Sequence, residues 1–340
     1  MKSKKIKILT DISIPQSIEW GEKTDNIIDF YPYGHNSTEG FDNIRYLLYY
    51  SYHFIKSMKH YDVVITANIK LAQLVGMYRA LFFISRPKQF VLELMLDEET
   101  PGILWKLKLL LQRLSFSSIE VIFVSSTSEI RTYSRRLRIP EGRFRFLPFH
   151  TNIVIPRMTD GHERYIFSAG KTGRDYKVLA DALRGTGIDA VIVSDDIHVE
   201  GIDLPPNVTV RKNIPYSEYM ELLEKSILVV VPLKRLVKST GQVVVLEAQA
   251  LGKPVIVTET VGTLDYIEHG ANGILVPPED VESLRKAIIE LISCPSARDS
   301  LARNGLERIH RSHTFEVYIR QILFTVEEEA LKTDPKSLGA

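Results

Sequence analysis

Residues 229–257 read VVVPLKRLVKSTGQVVVLEAQALGKPVIV, in which two apolar runs are separated by a basic loop. The first run is short, rich in valine and ends at Pro232, as a buried strand of a parallel sheet does. The Ser-Thr-Gly sequence at 239–241 has residue types that cap the start of a helix, and Gly252 is typical of a helix end. The stretch therefore predicts a buried strand, a loop and a buried helix, with a further strand from Val255.

One acidic side chain, Glu247, interrupts the apolar sequence of this predicted helix. Burial of a carboxylate costs free energy unless the group is paired or hydrogen-bonded, so we expect Glu247 to face a polar ligand. Glu247 follows Gly241 by about 9 Å along a helix, which approximates the distance from the diphosphate to the ribose hydroxyls of one nucleotide. The alternative is a structural ion pair with a lysine at the edge of the core. The spacing favours phosphates at the helix N-terminus and ribose on Glu247.

The whole chain has 340 residues, which is long enough for two domains. Its β-branched runs alternate with helical patterns, which predicts an α/β fold with two doubly wound parallel sheets. The stretch 148–163 contains two prolines and a glycine without a clear period and is typical of a linker. We expect a first domain over 1–150, a second over 151–315, and a helix over 316–340 that packs back on the first domain.

The composition argues against several classes of protein. A chain that is 44% hydrophobic and 25% charged is not disordered, and a net charge of only +1 does not suit a dedicated nucleic-acid-binding protein, which needs basic side chains to neutralise phosphates. The single cysteine predicts no disulfide and a reducing compartment. No run reaches the roughly 18 apolar residues of a membrane-spanning helix. We therefore expect a cytoplasmic protein.

A second candidate anion site follows the predicted strand that ends at Ala169. The turn Gly170–Arg174 precedes a helical pattern, and the N-terminus of a helix attracts anions. The turn does not match a P-loop, because Tyr165 stands where that motif requires its first glycine, and it lacks the third glycine of the dinucleotide motif. Two interpretations remain: Lys171 and Arg174 contact a phosphate, or the turn is an ordinary connection with solvated charges.

Three consecutive blocks of the second half, at 246–256, 262–270 and 272–280, resemble a known family in sequence, order and spacing. They are similar to the nucleotide-sugar-binding domain of the retaining glycosyltransferases of the GT-B fold that share a Glu-x7-Glu motif. The resemblance extends over 164–291 and covers the first half only in layout. It implies two Rossmann-like domains that face a cleft, and transfer of a hexose from a nucleoside diphosphate sugar, with UDP favoured over GDP.

The resemblance also implies a donor site. The second glutamate of the motif, which holds the ribose in this family, falls on Glu247, whereas the first, which contacts the transferred sugar, is replaced by Ser239. The basic pair for the diphosphate falls on Lys171 and Arg174, and the base is expected against the turn that contains Ile214. The expected donor-binding residues are Gly170, Lys171, Arg174, Ile214, Lys234, Lys238, Ser239, Thr240, Gly241, Gln242 and Glu247.

No Asp-x-Asp motif occurs in the sequence, and its His, Asp and Glu residues show no metal-ligand spacing. We therefore expect neither a metal nor another cofactor. Charge on the leaving diphosphate would instead be stabilised by Lys171, which we place among the catalytic residues, by Arg174, by the loop lysines and by the dipole of the helix that begins near Gly241.

The first domain is expected to bind the acceptor, a lipid-linked or oligosaccharide glycan in cell-surface polysaccharide or glycolipid assembly. Four carboxylates lie within 93–99, at the carboxyl edge where open α/β sheets place ligands. Asp97 and Glu98 are candidate catalytic residues, either as a general base or as groups that orient the acceptor hydroxyl. The alternative is that these acids merely precede the N-terminus of a helix.

The stretch 102–116 has three basic residues, no acid, and apolar residues at 103, 107, 110, 111 and 114. A helix of this kind can lie on an anionic bilayer or can be a crossover helix of the core. We expect its leucines to be buried in the core. We expect its basic edge to allow reversible contact with an anionic membrane surface, at the inner face of the membrane.

Ser239 leaves two other functions open, because it stands where the family has a glutamate. One is a noncatalytic subunit that binds a sugar nucleotide and supports a partner. The other is a UDP-sugar epimerase, since such enzymes share the GT-B fold. Release of UDP with and without an acceptor would distinguish these functions from transfer.

Overall fold

The structure is a computed structural model that describes residues 5–12, 26–30, 44–159 and 163–332. It divides the chain into two compact units. The first unit consists of two separate stretches, Met1–Leu147 and Ile319–Ala340, whereas the second is the continuous stretch Pro148–Tyr318. None of the helices in the described residues is long and apolar enough to cross a membrane.

The first unit contains a six-stranded parallel sheet in the order β2-β1-β3-β4-β5-β6. Its strands are β1 (Lys7–Thr10), β2 (Ile27–Phe30), β3 (Val63–Thr66), β4 (Lys88–Val91), β5 (Val121–Val124) and β6 (Phe144–Phe146). Its helices are α1 (Ile44–Met58), α2 (Ile69–Leu81), α3 (Ile103–Ser117) and α4 (Thr127–Leu137). The inner strands β3 and β5 are buried along their whole length, as expected when both faces of a parallel sheet are covered.

The second stretch of the first unit begins inside a helix that runs from Phe315 to Leu331, called α11 below. Ile319, Ile322 and Val326 on this helix are fully buried. Farther along it, the Glu327 carboxylate accepts a hydrogen bond of 2.9 Å from the Asn26 side chain at the start of β2. The core of the first unit therefore includes residues that lie far apart in the sequence.

The second unit contains another six-stranded parallel sheet, in the order β12-β11-β10-β7-β8-β9. Its strands are β7 (Ile166–Ala169), β8 (Ala190–Ser194), β9 (Val208–Lys212), β10 (Leu228–Val231), β11 (Val255–Thr258) and β12 (Ile274–Val276). Its helices before α11 are α5 (Tyr176–Leu183), α6 (Asp196–Val199), α7 (Tyr216–Lys225), α8 (Gln242–Ala250), α9 (Val281–Ser293) and α10 (Pro295–Ser312). The strand order reverses between β7 and β10, which is where open α/β sheets bind ligands.

The α/β fold with two doubly wound parallel sheets, expected from the sequence, is confirmed. β2 is the strand that the sequence pattern does not predict. It lies at the edge of its sheet, and both Ile27 and Phe30 are exposed, so its four residues show neither the alternation nor the continuous burial that marks a strand.

The expectation that the leucines of α3 are buried is wrong. Residues Gln112, Ser115 and Phe116 form the buried side of this helix, and its leucines face outward or are partly covered. The reason lies in α2, where Gly76 allows a close approach: a Cβ atom at Gly76 would lie only 2.3 Å from the carbonyl oxygen of Ser115. Because the two backbones approach so closely at Ser115, this side of α3 is turned toward α2, and the leucines on the other side point away.

Candidate functional site

Two predicted segments meet at the carboxyl ends of β7 and β10, where the strand order reverses. The backbone N–H of Asp175 donates to the carbonyl of Pro232 at 3.0 Å, and the N–H of Lys234 donates to the carbonyl of Gly173 at 2.9 Å. These bonds connect the glycine turn after β7 to the loop after β10. The structure therefore brings together two groups of candidate residues that are about sixty positions apart in the sequence.

The end of β11 supports the same loop from a third side. The N–H of Leu233 donates to the Thr258 hydroxyl at 2.9 Å. A Cβ atom at Gly262, in the loop after β11, would lie 2.5 Å from the backbone nitrogen of Thr240 and 2.9 Å from the Cα of Ser239. Only glycine fits at 262, so the backbone before α8 is held against the next loop. Both Ser239 and Thr240 are buried there.

Arg174 is a buried cation at the end of the glycine turn. Its Nε donates to the carbonyl of Ala169 at 2.7 Å, and its Nη1 donates to the carbonyl of Thr172 at 3.0 Å. Gly170 has a left-handed backbone with φ of +115°, and a Cβ atom there would lie 2.3 Å from Nη2 of Arg174. Within the described ranges no carboxylate lies within ion-pair distance of this guanidinium, and burial lowers its pKa. A desolvated cation of this kind is suited to an anionic ligand.

Lys171 has a different environment from Arg174. Its ammonium group is exposed and lies 3.2 Å from Oδ2 of Asp195, which follows β8. The same carboxylate is hydrogen-bonded to the His198 side chain, and this bond, followed by the one to Lys171, lowers the pKa of Asp195. The ammonium group has three donors, so its contact with Asp195 leaves donors available to a phosphate.

The N-terminus of α8 has a left-handed glycine at its cap. Gly241 has a φ of +96°, and a Cβ atom there would point toward Leu233, at 2.9 Å from its Cδ1. Gln242 follows as the first helical residue; its side chain is 4% exposed, and its Nε2 has no acceptor within hydrogen-bond distance in the part of the chain that the structure describes. Of the two loop lysines, Lys234 is exposed and Lys238 is half-buried. The helix thus begins with an unsatisfied buried donor.

Glu247 lies in the interior of α8 and is 3% exposed. Its Oε2 accepts a hydrogen bond of 2.6 Å from the Tyr219 hydroxyl, and its Oε1 accepts from Asn152 Nδ2 at 3.3 Å and from the Tyr216 hydroxyl at 3.5 Å. Burial raises the pKa of Glu247, against the opposing effect of these hydrogen bonds. In the described residues no cation pairs with Glu247, so the ion pair with a lysine that the sequence left open is not formed.

The two tyrosines and Asn152 are site residues that the sequence did not indicate. The Tyr216 and Tyr219 rings stack with centroids 5.7 Å apart, and Tyr216 is exposed. Burial, followed by the charge of Glu247, raises the pKa of Tyr219 well above its ordinary value, whereas the charge of Arg174 lowers it. Tyr219 therefore lies near both charged groups of the site. In the sequence, only the position of Tyr216 directly after the turn expected to bind the base could have indicated its place in the site.

Ile214, expected beside the base, is half-buried in the turn between β9 and α7. Asn213 before it has a left-handed backbone with φ of +51°, and Pro215 after it is the N-terminal cap of α7. The turn therefore leads directly into Tyr216 and the Glu247 network.

The candidate catalytic acids of the first unit, Asp97 and Glu98, lie between β4 and α3. Oδ2 of Asp97 is 2.8 Å from Nζ of Lys108, and its backbone carbonyl accepts a hydrogen bond of 2.6 Å from Arg136. Lys108 and Arg136 also lie over the Trp105 ring, at 5.3 and 4.6 Å from its centroid. These contacts connect Asp97 to the start of α3, and Glu98 is half-buried beside it. Their role with an acceptor stays a prediction.

The described residues contain no group of three or more His, Cys, Asp or Glu side chains that could hold a metal ion. This finding concerns those residues alone. The expectation that the reaction needs no metal stays a prediction.

Residues 198–308, which lie within the second unit, match the family model described as Glycosyl transferases group 1. Over 112 residues the chain is 30% identical to the capsular polysaccharide biosynthesis glycosyltransferase CapM of Staphylococcus aureus, a match that covers 33% of this chain and 28% of CapM. The chain covers 9%, 28% and 10% of the length of the first three curated relatives that it matches.

Solved structures resemble nearly the whole chain. Anabaena Alr3699/HepE in complex with UDP has a TM-score of 0.71 at 14% identity and covers 96% of this chain and 100% of that one. Sucrose-phosphate synthase from Thermosynechococcus elongatus has a TM-score of 0.67 at 18% identity, covering 85% of this chain and 80% of that one. HepE has also been solved with UDP-glucose. The structural neighbours are GT-B glycosyltransferases, so the fold of this chain is GT-B.

Proposed function

We propose that this chain is a glycosyltransferase whose donor, a UDP-hexose, binds at the carboxyl ends of β7 and β10. The observation that carries the proposal is Arg174, a buried cation with no carboxylate partner in the described residues, beside the N-terminus of a helix that carries Glu247. The match to the group 1 family and the HepE structures with UDP and UDP-glucose support this class of donor.

The diphosphate is expected to lie between Arg174 and the start of α8. The first N–H groups of a helix have no partner four residues earlier, and their dipole favours negative charge. Gln242 contributes a further donor, because its buried Nε2 has no acceptor among the described residues. Lys171, whose ammonium group lies 3.2 Å from Asp195, is expected to contact a phosphate oxygen as well. Together these groups would stabilise the charge that develops on the leaving diphosphate.

The ribose is expected to bind Glu247, whose carboxylate accepts hydrogen bonds and so suits a diol. The Tyr219 hydroxyl already donates to Oε2 at 2.6 Å, whereas the Tyr216 bond to Oε1 is long at 3.5 Å. A ribose hydroxyl can therefore replace Tyr216 at Oε1 at little cost. The base would then lie beside Ile214 and the exposed Tyr216 ring.

The sugar is expected to make fewer contacts than in relatives with a complete Glu-x7-Glu motif, because Ser239 is too short to reach as a glutamate does. Lys238 and Gln242 are the nearest substitutes. We propose retention of configuration by front-face displacement. The bond from the anomeric carbon to the phosphate oxygen breaks, a bond to the acceptor oxygen forms on the same face, and the acceptor proton passes to the departing phosphate. Asp97 and Glu98 would then orient the acceptor.

We propose a lipid-linked or oligosaccharide glycan as the acceptor, in cell-surface polysaccharide or glycolipid assembly at the cytoplasmic face of the membrane. The similarity of the second unit to CapM, a capsular polysaccharide biosynthesis glycosyltransferase, supports this class.

The proposal is tested by UDP release from UDP-hexoses, measured with and without glycan acceptors, together with calorimetric titration of UDP and GDP. We expect UDP to bind more tightly than GDP and UDP release to require the acceptor. Binding without release under any acceptor would indicate a noncatalytic subunit, and conversion of the sugar without acceptor would indicate an epimerase. A folded protein that binds neither nucleotide would contradict the donor site itself.

We also expect turnover to persist when EDTA is added, because side-chain cations and the α8 N-terminus take the place of a metal at the diphosphate. The measurement compares initial rates of UDP release before and after exhaustive EDTA treatment, with Mg²⁺ and Mn²⁺ restored in separate samples. Loss of activity in EDTA that either ion reverses would show that the diphosphate is neutralised by a metal.

A further inference from the structure

Helix α3 of the first unit exposes a continuous row of aliphatic side chains. Each is between 37% and 80% exposed. The row consists of Ile103, Leu104, Leu107, Leu110, Leu111 and Leu114, and is called the α3 stripe below. At 3.6 residues per turn these positions fall within an arc of about 120°, the width of the buried face of an ordinary helix. Here that arc faces away from the core, because Gln112, Ser115 and Phe116 face inward.

Basic side chains border the stripe on both sides. Lys106 and Arg113 lie along one edge and Lys108 lies along the other, and α3 contains no acidic residue. Lys108 pairs with Asp97, and Arg113 Nε donates to the carbonyl of Arg136, whereas Lys106 is exposed and forms no ion pair with a described residue. Long basic side chains beside an apolar face can keep their charge in the lipid headgroup region while the face enters the acyl boundary.

The adjacent helix extends this positive surface. Helix α4 packs against α3 and carries two exposed arginines, Arg131 and Arg135, and a third, Arg138, lies at its C-terminal cap. Its one acidic residue, Glu129, is buried in a capping box and hydrogen-bonded to Tyr133. The first 150 residues as a whole carry 21 basic and 15 acidic side chains, so the charge of this half favours an anionic surface.

We propose that the α3 stripe docks on an anionic phospholipid bilayer, with the helix axis parallel to the membrane surface. A second copy of the chain fits the charges less well, because a two-fold contact between stripes would place the same basic residues of both copies together with no acid on α3 to pair them. A bilayer offers acyl chains to the stripe and phosphate groups to Lys106 and its neighbours at once. The inference does not depend on the donor site, which lies in the other unit.

The test uses the full chain and sedimentation with vesicles. One set of vesicles contains phosphatidylglycerol mixed with phosphatidylcholine, and the other contains phosphatidylcholine alone. The variant Leu107→Asp with Leu110→Asp places two charges in the middle of the stripe. Its matched control is Ile197→Asp with Ile289→Asp, which charges two exposed isoleucines of the second unit. Because all four side chains are exposed, we expect both variants to fold, as judged by circular dichroism and by unchanged UDP titration.

We expect the parent protein to sediment with the anionic vesicles and to be released by high salt. The stripe variant should bind at least about tenfold more weakly, and the control variant should bind like the parent. Lys106→Glu should weaken binding about fivefold or more while the stripe stays intact, since it removes one basic residue and adds an acidic one. Full binding by the stripe variant would overturn the proposal, as would a parent that ignores anionic vesicles.

Two further outcomes are informative. Salt-independent binding to phosphatidylcholine alone would show that the charges have no part and would overturn the anionic assignment. A parent that is dimeric by sedimentation velocity, and becomes monomeric with the stripe variant while vesicles do not bind, would assign the stripe to a second copy. None of these measurements requires a nucleotide, so failure here is distinguishable from failure of the proposed transfer activity.

Discussion

Replacement of Arg174 by methionine is expected to reduce turnover of the nucleotide sugar by at least about 100-fold, the usual effect of removing one group that stabilises transition-state charge. The guanidinium is buried, and it donates to two backbone carbonyls, that of Ala169 at the end of β7 and that of Thr172 in the glycine turn. Neither carbonyl neutralises the positive charge of Arg174, so this charge is available to the diphosphate. Turnover is measured as the rate of acceptor-dependent UDP release.

Stability should change much less than activity in Arg174→Met. Methionine keeps most of the aliphatic stem, and the substitution removes a desolvated charge that has no carboxylate partner in the described residues. Arg298→Met is the matched control, because Arg298, in the first turn of α10, also donates to two backbone carbonyls, those of Leu291 and Ile292 in α9, and none of these residues belongs to the donor site. We expect the control to retain parental turnover. Equal turnover in both variants would remove Arg174 from the donor site.

The second large effect is expected for Glu247→Gln, which should weaken UDP binding by about tenfold to a hundredfold. This range corresponds to the roughly 1.5–3 kcal/mol of a hydrogen bond to a charged group. The amide retains one oxygen that can accept from the Tyr219 hydroxyl, so the network beside the ribose is preserved in part. Titration calorimetry with UDP measures the change.

The stability of Glu247→Gln should equal or exceed that of the parent. Burial raises the pKa of Glu247 above its ordinary value, so the folded state holds the proton more tightly than the unfolded state does. Its contribution to the free energy of unfolding is therefore complete at pH below the ordinary value and is lost as pH rises through the raised pKa. At neutral pH the ionised carboxylate is a cost that glutamine removes. Thermal melts at neutral pH measure this difference.

The same shift predicts a pH dependence for binding. As pH falls through the raised pKa of Glu247, the carboxylate takes up a proton and accepts the ribose diol less well, so UDP affinity should fall. Glu247→Gln should lack this decrease. Glu129→Gln is the matched control, since Glu129 is also a buried carboxylate that accepts from a tyrosine hydroxyl, in the first unit. Glutamine can also form the capping box at this position, so Glu129→Gln should keep full UDP affinity and a UDP affinity that depends on pH as in the parent. If Glu247→Gln kept full UDP affinity at every pH, Glu247 would be a structural residue.

The sequence predicts well what depends on neighbours along the chain. The strand, loop and helix of 229–257 are found as expected because burial period, caps and glycines are local signals. The partners of Glu247 could not be predicted in this way. Tyr216 and Tyr219 precede it by about thirty residues, and only the packing of α7 beside α8 brings their hydroxyls to its carboxylate.

For helix α3 the sequence predicts the helix itself but not which of its faces is buried. Its sequence correctly indicates an amphipathic helix, but amphipathicity does not determine which face turns inward. That choice depends on Gly76 of α2, which admits the backbone of α3 at Ser115 so closely that this side of α3 faces α2. A pattern within one helix contains no information about a glycine on another.

The division of the first unit into two stretches has a consequence for synthesis on the ribosome. Domains generally fold as units while the chain emerges. The second unit is continuous, so all of its residues are available once Tyr318 has left the exit tunnel, whereas the sheet formed by the first 147 residues must wait for Ile319, Ile322 and Val326 to complete its core. We therefore expect the half of the protein that is made first to finish folding last.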